Sequence, residues 1–335
     1  MQSLLSVFAL FSYAAVGYGQ FTTVLNIPPD PNIGDFQSIG AHTQLNLFDG
    51  GVVGMRFNAG VPDEANEKVE MNIFGGTVGD FFNANQGSIV NVSGGMVGSG
   101  LQVQFGSRLN VTAGTVARVD KVMRRGEANI SGGNVGAITA YLGGGLLNLS
   151  GGTVDEIKAL MGSFVNIFGT QFVLDGDDIT DSFTWNEPLT IDDRDVTLSG
   201  RLADGSDFSF DLNSTAVPDQ DFFDVGADLV VMRVLPADTN NDGLINIDDL
   251  NNVRNNFGET GNADGKLLGD AVPWDGVVDI DDLNVVRNKF GAGATPVPEP
   301  SGSVIALLGI LTILADRRNR SRLPNAAKPS KSSSP

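Results

Sequence analysis

The sequence contains no cysteine and only one histidine, His42, among its 335 residues. The absence of cysteine excludes a disulfide framework and any zinc site built from cysteine and histidine. A Ser-His-Asp triad would have to use His42, which lies in a polar stretch without a nucleophile motif and is interpreted as an ordinary surface residue. Enzymatic chemistry in this chain would therefore rely on carboxylates, on Lys or Arg, or on a metal ion.

Positive charge is also scarce, since 21 Lys and Arg residues stand against 40 Asp and Glu and give a net charge of -19. This balance argues against a nucleic-acid partner, because phosphate backbones are bound by concentrated Lys and Arg. It is compatible with cation binding and equally with a solvated acidic surface. The charged fraction of 18% and the 43 glycines indicate a turn-rich β protein rather than a helical one.

The N-terminal residues 1–19 have the pattern of a secretory signal peptide. An apolar run is followed by small residues, and the predicted cleavage region is residues 17–19. The alternative is a buried N-terminal strand. Export of the chain is therefore the first functional expectation.

The C-terminal residues 292–335 carry three features in a distinctive order. A Pro-Glu-Pro motif at residues 298–300 precedes an apolar stretch at 303–315, and a basic cluster follows at 317–320. The apolar stretch is shorter than the ~20 residues of a stable transmembrane helix, which predicts a transient membrane segment. This order resembles the PEP-CTERM sorting signal of Gram-negative bacteria. The resemblance implies processing by an exosortase and export to the cell surface, outer membrane or extracellular matrix; the alternative is a permanent membrane anchor.

The pattern Asn–aliphatic–Ser/Thr–Gly–Gly–x–Val repeats through the first half of the chain. Copies begin at Asn72, Asn91, Asn110, Asn129 and Asn148, and worn copies begin at Asn46 and Asn166. From Asn72 onward the copies are 19, 19, 19, 19 and 18 residues apart, whereas 26 residues separate Asn46 from Asn72. A period this strict indicates a solenoid, and the longer interval predicts an insertion near residues 59–68.

Each copy predicts a short strand followed by a tight corner. Apolar residues flank every Asn in period-two alternation, the Gly pair permits positive φ, and the following Val points back inward. One such unit cannot bury its own apolar face, but stacked copies can, with equivalent strands paired in parallel. The predicted fold is therefore mainly β: a parallel β-helix or β-solenoid of 19-residue coils over residues 20–175.

The repeated Asn residues lie on the opposite strand face from the aliphatic residues. Four of them form Asn-x-Ser/Thr sequons, which we interpret as a ladder of stacked amides and hydroxyls rather than as glycosylation sites. Arg108 and Glu127 occupy equivalent positions in adjacent coils and are predicted to pair. Residues 176–236 break the period and predict a β-rich cap, with a hairpin around an Asp-Gly turn at residues 196–212 and a strand at 229–235.

Residues 238–249 have the spacing of a calcium-binding EF-hand loop. Calcium takes six to eight oxygen ligands, which alternate positions of a tight loop can supply. The predicted ligands are the side chains of Asp238, Asn240, Asp242, Asn246 and Asp249, with the backbone carbonyl of Leu244. Gly243 permits the turn, and Leu250, Val253 and Phe257 are expected on one face of the helix that follows.

A second copy of this loop begins about 33 residues later in the sequence, where Asp275 aligns with Asp242. Its opening does not match, because Ala271 and Pro273 fall on positions one and three, so Asp270 can serve only if the loop has an extra residue. The predicted ligands of this weaker or distorted site are Asp270, Asp275, Val277, Asp279 and Asp282.

Tandem loop–helix halves without an entering helix, over residues 237–291, resemble a type I dockerin. The resemblance implies a small α-helical module with calcium as cofactor and a cohesin-like partner, often on carbohydrate-degrading assemblies. In each half, the two residues before position twelve help that family to choose its partner. Here they are 247–248 and 280–281, Ile-Asp pairs rather than the Ser/Thr pairs common in cellulosomal members. An alternative is that the module only caps the fold.

Two functions remain open from the sequence. The first is a non-catalytic exported solenoid of the cell surface or matrix, with a calcium-dependent docking module that binds a polysaccharide or a cohesin-like protein. The second is a polysaccharide lyase or glycoside hydrolase on a β-helix scaffold, which is a fold-level analogy. A lyase would need a carboxylate–calcium site beside a base, and the dense basic cluster Lys121, Arg124 and Arg125 lacks a neighbouring acidic cluster.

Overall fold

The structure is a computed structural model. It describes residues 21–61, 68–182, 187–240, 242–261, 267–272 and 274–291. The predicted signal peptide, the PEP-CTERM segment, most of the predicted insertion, and Pro273 lie outside the described residues. Within these residues no helix is long and apolar enough to cross a membrane.

The repeat region folds as the predicted parallel β-solenoid, of about seven turns. Its strands are β1 (Thr23–Ile27), β2 (Ser38–Ile39), β3 (Thr43–Leu47), β4 (Val52–Val53), β5 (Asn58–Ala59), β6 (Val69–Ile73), β7 (Thr77–Val78), β8 (Asn83–Ala84), β9 (Ile89–Val97), β10 (Leu101–Val103), β11 (Arg108–Val116), β12 (Val119–Val122), β13 (Glu127–Ala140), β14 (Leu146–Ala159) and β15 (Phe164–Leu174). The remaining elements are β16 (Asp177–Asp178), a 3-10 turn (Thr180–Ser182), β17 (Pro188–Thr190), β18 (Thr197–Leu202), β19 (Asp207–Asp211), β20 (Phe222–Phe223), β21 (Asp228–Arg233), α1 (Ile247–Asn255) and α2 (Ile280–Asn288).

Each coil contributes to three sets of parallel pairings, which define three faces. The first face carries the repeated Asn residues, the second the inward Val that follows each Gly corner, and the third a row of small apolar residues. Inward residues of all three faces are nearly inaccessible, including Leu109, Val116 and Val122 at 0% exposure. Each such side chain contributes roughly 1.5–3 kcal/mol of burial, so the stack of coils forms one continuous core.

The predicted asparagine ladder is confirmed on the first face. The Nδ2 of each Asn donates to the Oδ1 of the Asn one coil earlier, at 2.8 Å from Asn110 to Asn91 and 2.9 Å from Asn129 to Asn110. The predicted pair is confirmed beside it, with Arg108 Nε 3.2 Å from Glu127 Oε2. The ladder includes a copy that the sequence pattern missed, because Asn46 donates to Asn26 at 2.9 Å.

The C-terminal end of the solenoid is completed by residues distant in sequence. The predicted hairpin is confirmed as antiparallel β18 and β19. The predicted strand at 229–235 is observed as β21, which pairs in parallel with β15 and so continues the first face. Beside it, β20 pairs in parallel with β14 and continues the third face. Residues that break the repeat in sequence thus still extend the solenoid in space.

The two short helices have the same length and the same kind of N-terminal cap. Asn246 and Asp279 are the N-caps, and each forms a reciprocal capping box with an aspartate at the third helical position. Val253 and Val286 are buried, but Phe257 is 56% exposed, so its predicted place on the buried face is wrong. The reason is that α1 ends at Asn255, after which the chain leaves the helical register.

Candidate metal centre

The first predicted calcium loop is closed by a buried carboxylate. Asp249 is 0% exposed. Its Oδ1 accepts a 2.7 Å hydrogen bond from the Thr239 amide at the start of the loop, and its Oδ2 accepts a 2.8 Å bond from Asn246. The closing residue therefore holds both ends of the loop together and also anchors α1.

The remaining side chains of this loop converge on the turn at Gly243. Asp238 accepts hydrogen bonds from the amides of Asp242 and Gly243, at 3.0 and 2.7 Å. The Oδ1 of Asn240 also accepts from Asp242, at 3.0 Å, and Asp242 accepts from Leu244 at 2.9 Å. Gly243 has φ +81, which suits glycine. All six predicted positions thus lie in one hydrogen-bonded turn.

The second loop has the same pattern with one additional residue. The Gly276 amide donates to Asp270 Oδ2 at 3.0 Å, as Gly243 donates to Asp238. The Ala271 amide donates to Asp282 Oδ1 at 2.7 Å, as Thr239 donates to Asp249. Asp270 rather than Ala271 therefore occupies the first position of this loop.

The other two predicted aspartates keep the roles of their counterparts in the first loop. Asp275 accepts from the Val277 amide at 2.9 Å, and Asp279 caps α2 by accepting from Asp281 at 2.7 Å. The predicted residues of the second loop are thus brought together like those of the first.

The two loops are related by a local two-fold arrangement. The Gly258 amide after α1 donates to the carbonyl of Val278 at 2.7 Å, and the Gly291 amide after α2 donates to Ile245, also at 2.7 Å. A small hydrophobic cluster lies between the halves, formed by Ala237, Ile245, Val253, Ala271, Val278 and Val286. Each helix therefore ends on the loop of the other half.

Negative charge is concentrated and poorly compensated in the second loop. Asp270 is 3% exposed, and its Oδ1 has no hydrogen-bond partner in the part of the chain that the structure describes. Burial, together with Asp282 and Asp275, raises the pKa of Asp270 to about 8. Burial also raises the pKa of Asp282, to about 6, and that of Asp275.

The equivalent aspartate of the first loop is in a related environment. Burial is also the main cause that raises the pKa of Asp238, with the neighbouring carboxylates Asp249 and Asp242 adding to it. Asp238 and Asp270 line a common cavity of about 20 Å³, which is room for about one water molecule or small ion. A bound cation would compensate the charge that both loops bury.

The residues fit an oxygen-ligated cation in type, because calcium takes carboxylate, amide and carbonyl oxygens. Among the described residues, no group of three or more His, Cys, Asp or Glu side chains is arranged around a common metal position. The carboxylates instead accept hydrogen bonds from the amides of their own turns. The Oδ1 of Asp270 accepts none of these bonds in the described part of the chain.

The segment of the second loop that contains the extra residue contacts the solenoid, and the sequence pattern did not predict this contact. Val272, at position three, is 5% exposed and packs in a cluster with Phe168, Ala203 and Val234. Trp274 packs edge-on against Phe168, with ring centroids 5.1 Å apart. The loop thus lacks a position-three oxygen, and the same segment fastens the two-helix region to the solenoid.

Two residues of the basic cluster considered for enzymatic chemistry contact aromatic rings. Lys121 lies over the ring of Tyr141 at 5.3 Å, and Arg125 over that of Phe105 at 5.4 Å. Burial raises the pKa of Asp221, whose two oxygens accept hydrogen bonds from the backbone amides of Ile157 and Asp211. Neither arrangement provides a carboxylate–calcium site beside a base.

Comparison with known proteins gives no match to a family model, to a curated protein or to a solved structure.

Proposed function

We propose that this chain is an exported, non-catalytic β-solenoid protein that binds a polysaccharide or protein partner and whose C-terminal module is stabilised by calcium. The observation that carries the calcium assignment is Asp270, a carboxylate 3% exposed with an Oδ1 that has no partner among the described residues. A buried carboxylate that is not paired is costly to ionise, and a bound cation offsets that cost. Calcium is the matching cation, because the neighbouring donors are oxygens.

The two loops are proposed to differ in affinity. The first offers oxygens from five side chains and one carbonyl, as predicted from the sequence. The second has Val272 at position three, so it lacks one ligand and depends on four carboxylates and the carbonyl of Val277. Fewer ligands and the packing of Val272 against the solenoid both favour weaker binding. The proposed calcium is structural, because it bridges segments that hold the module together.

Partner docking is proposed on the outer surface of the two-helix module. Ile247 and Ile280, at position ten of each loop, are 56% and 54% exposed. Phe257 and Phe290, which also occupy equivalent positions in the two halves, are 56% and 52% exposed. Exposed apolar residues in such pairs support a protein partner of the cohesin type. The sequence features of both ends support exosortase processing and a location at the surface or in the matrix of a Gram-negative-type bacterium.

Calorimetric titration of the full chain with calcium tests the proposal. We expect two binding events of unequal affinity and a higher melting temperature in calcium than in chelator. Asp270→Asn should abolish the weaker event and leave the stronger one. Asp177→Asn is the matched control, since Asp177 is an exposed aspartate outside both loops. Absence of saturable heat, with equal melting temperatures in calcium and chelator, would rule out the calcium assignment.

A further inference from the structure

A groove of about 380 Å³ lies on the third face of the solenoid, near its N-terminal end. Its walls come from three neighbouring coils and combine aromatic, cationic and amide side chains: Phe36, Arg56, Asn58, Phe81, Asn83 and Gln102. It is separate from both calcium loops, whose residues do not line it. Its shape and composition raise the question of what it binds.

Arg56 is held between two aromatic rings at this groove. Its guanidinium carbon lies 5.5 Å from the ring centroid of Phe36 and 5.4 Å from that of Phe81. The two phenylalanines are 65% and 48% exposed, so parts of both rings are accessible to solvent. Stacking of this kind orients the planar guanidinium and lowers the entropy lost when it binds a ligand.

The backbone at this corner is strained in a way that glycine would avoid. Phe36, Arg56 and Phe81 have φ of 61, 53 and 59, and the next coil has Gly100 at φ 87. Positive φ in a bulky residue costs on the order of 1 kcal/mol or more. Three successive coils therefore retain large side chains at a position where glycine would avoid this cost, which indicates a role for the side chains themselves.

The charge of Arg56 is available to a ligand. The structure gives it no carboxylate partner among the described residues, whereas four other arginines pair at 3.2 Å or less: Arg108, Arg118, Arg201 and Arg233. Asp35 and Asp80, which directly precede the two phenylalanines in sequence, accept hydrogen bonds from the backbone amides of Met55 and Ser99. An uncompensated arginine on a chain of net charge -19 favours an anionic ligand.

Some amide groups on this face have no hydrogen-bond partner among the described residues, in contrast to the amides of the asparagine ladder. On the first face, Asn110, Asn129 and Asn148 each donate to the asparagine one coil earlier, so the amides of the ladder bond one another. On the third face, Gln102 Oε1 accepts from Gln104 at 3.0 Å, and Asn83 Nδ2 donates to the Phe81 carbonyl at 3.3 Å. Asn83 Oδ1 and Gln102 Nε2 have no bond within the described residues and can serve a ligand.

We propose that this groove binds an acidic polysaccharide, with a sugar carboxylate on Arg56 and sugar rings against the exposed parts of Phe36 and Phe81. The amides of Asn83 and Gln102 would bond hydroxyl groups. The two rings are two coils apart, or about 10 Å, which suits a disaccharide unit better than a single sugar. The inference rests on the proposed binding function, whose ligand class it names, and is independent of the calcium loops.

Calorimetric titration of the full chain with polygalacturonate, at about 0.15 M salt, tests this proposal. Fully methyl-esterified polygalacturonate is the matched probe, because esterification removes the carboxylate charge and keeps the sugar chain. We expect binding of the acid and at least about tenfold weaker binding of the ester, since a bond between charged groups is worth that much. Equal binding of both polymers, or of neither, would overturn the proposal.

Arg56→Gln should weaken binding of the acid by at least about tenfold. Arg125→Gln is the matched control, because Arg125 also stacks on a phenylalanine but lies outside the groove. Equal loss in both variants would indicate diffuse electrostatic attraction and contradict the site. Gln102→Glu provides a second test should Arg56→Gln lower the melting temperature, since a new carboxylate should repel the polymer. Calcium titration of Arg56→Gln should be unchanged, so failure of the groove and failure of the calcium assignment are distinguishable.

Discussion

Replacement of Asp270 by Asn should stabilise the protein without calcium and reduce the stability that it gains from calcium. Asn is nearly isosteric and keeps an oxygen for the Gly276 amide, which bonds Asp270 Oδ2 at 3.0 Å. Without calcium the substitution removes a buried carboxyl group and its repulsion from Asp282 and Asp275. With calcium it removes a proposed ligand. The variant should therefore be more stable than wild type in chelator and should gain less from calcium.

The magnitude follows from the pKa of Asp270, which burial raises from 3.8 to about 8. An acid with a raised pKa binds more protons in the folded state, so stability falls as pH rises from about 4 to about 8. At about 1.4 kcal/mol per pKa unit, the cost near neutral pH is on the order of 4 kcal/mol as an upper bound. In calcium at about a hundred times its Kd, wild type should recover about 2.7 kcal/mol.

Urea unfolding followed by the fluorescence of Trp274 measures both effects, because this tryptophan lies within the second loop. The chain has two tryptophans, so a Trp185→Phe background isolates the signal. In chelator the wild type should lose stability between acid and neutral pH, and Asp270→Asn should lose much less. Equal destabilisation of the variant with and without calcium, or an unchanged pH slope, would refute the reasoning.

Three further predictions concern packing. Trp274→Ala should lose about 2 kcal/mol, less than the ~3–5 kcal/mol of a fully buried aromatic residue because Trp274 is partly exposed, and should increase protease cleavage between solenoid and module; unchanged cleavage would argue that the contact with Phe168 is dispensable. Asn129→Ala breaks two ladder bonds of a residue 1% exposed, so urea unfolding should register a loss of about 2–4 kcal/mol, and a loss below that of one bond would contradict the ladder's role. Gly133→Ala should cost more than Gly143→Ala in thermal unfolding, because both have positive φ but a Cβ at Gly133 would lie 2.9 Å from backbone atoms of the preceding coil, whereas Gly143 has open space; equal costs would exclude the clash.

The repeat made the solenoid predictable because its stabilising contacts recur at a fixed spacing. Asn110 bonds Asn91 and Arg108 pairs with Glu127, each one coil apart. The spacing of apolar residues did not by itself predict where α1 ends. Phe257 continues the apolar spacing of α1 yet is exposed, because the helix stops at Asn255.

Contacts between segments far apart in sequence could not be predicted from a repeat in this way. The place of β21 beside β15 depends on residues about 64 positions apart in sequence. The groove around Arg56 joins corners of three coils whose spacing is irregular, since the predicted insertion separates two of them. No short motif marks such a site, because its side chains meet only after the coils have stacked.

By itself the sequence determined the parallel solenoid, its asparagine ladder, its confirmed hairpin and the residues that gather in the two acidic loops. These features depend on short-range periodicity, which can be read directly from the sequence. Only the tertiary structure decided that Asp270 begins the second loop, that Val272 and Trp274 pack on the solenoid, and that Arg56 lies between two phenylalanines without a carboxylate partner in the described part of the chain. Each of these depends on burial and on which distant groups become neighbours, and both are properties of the packed coils rather than of any one segment.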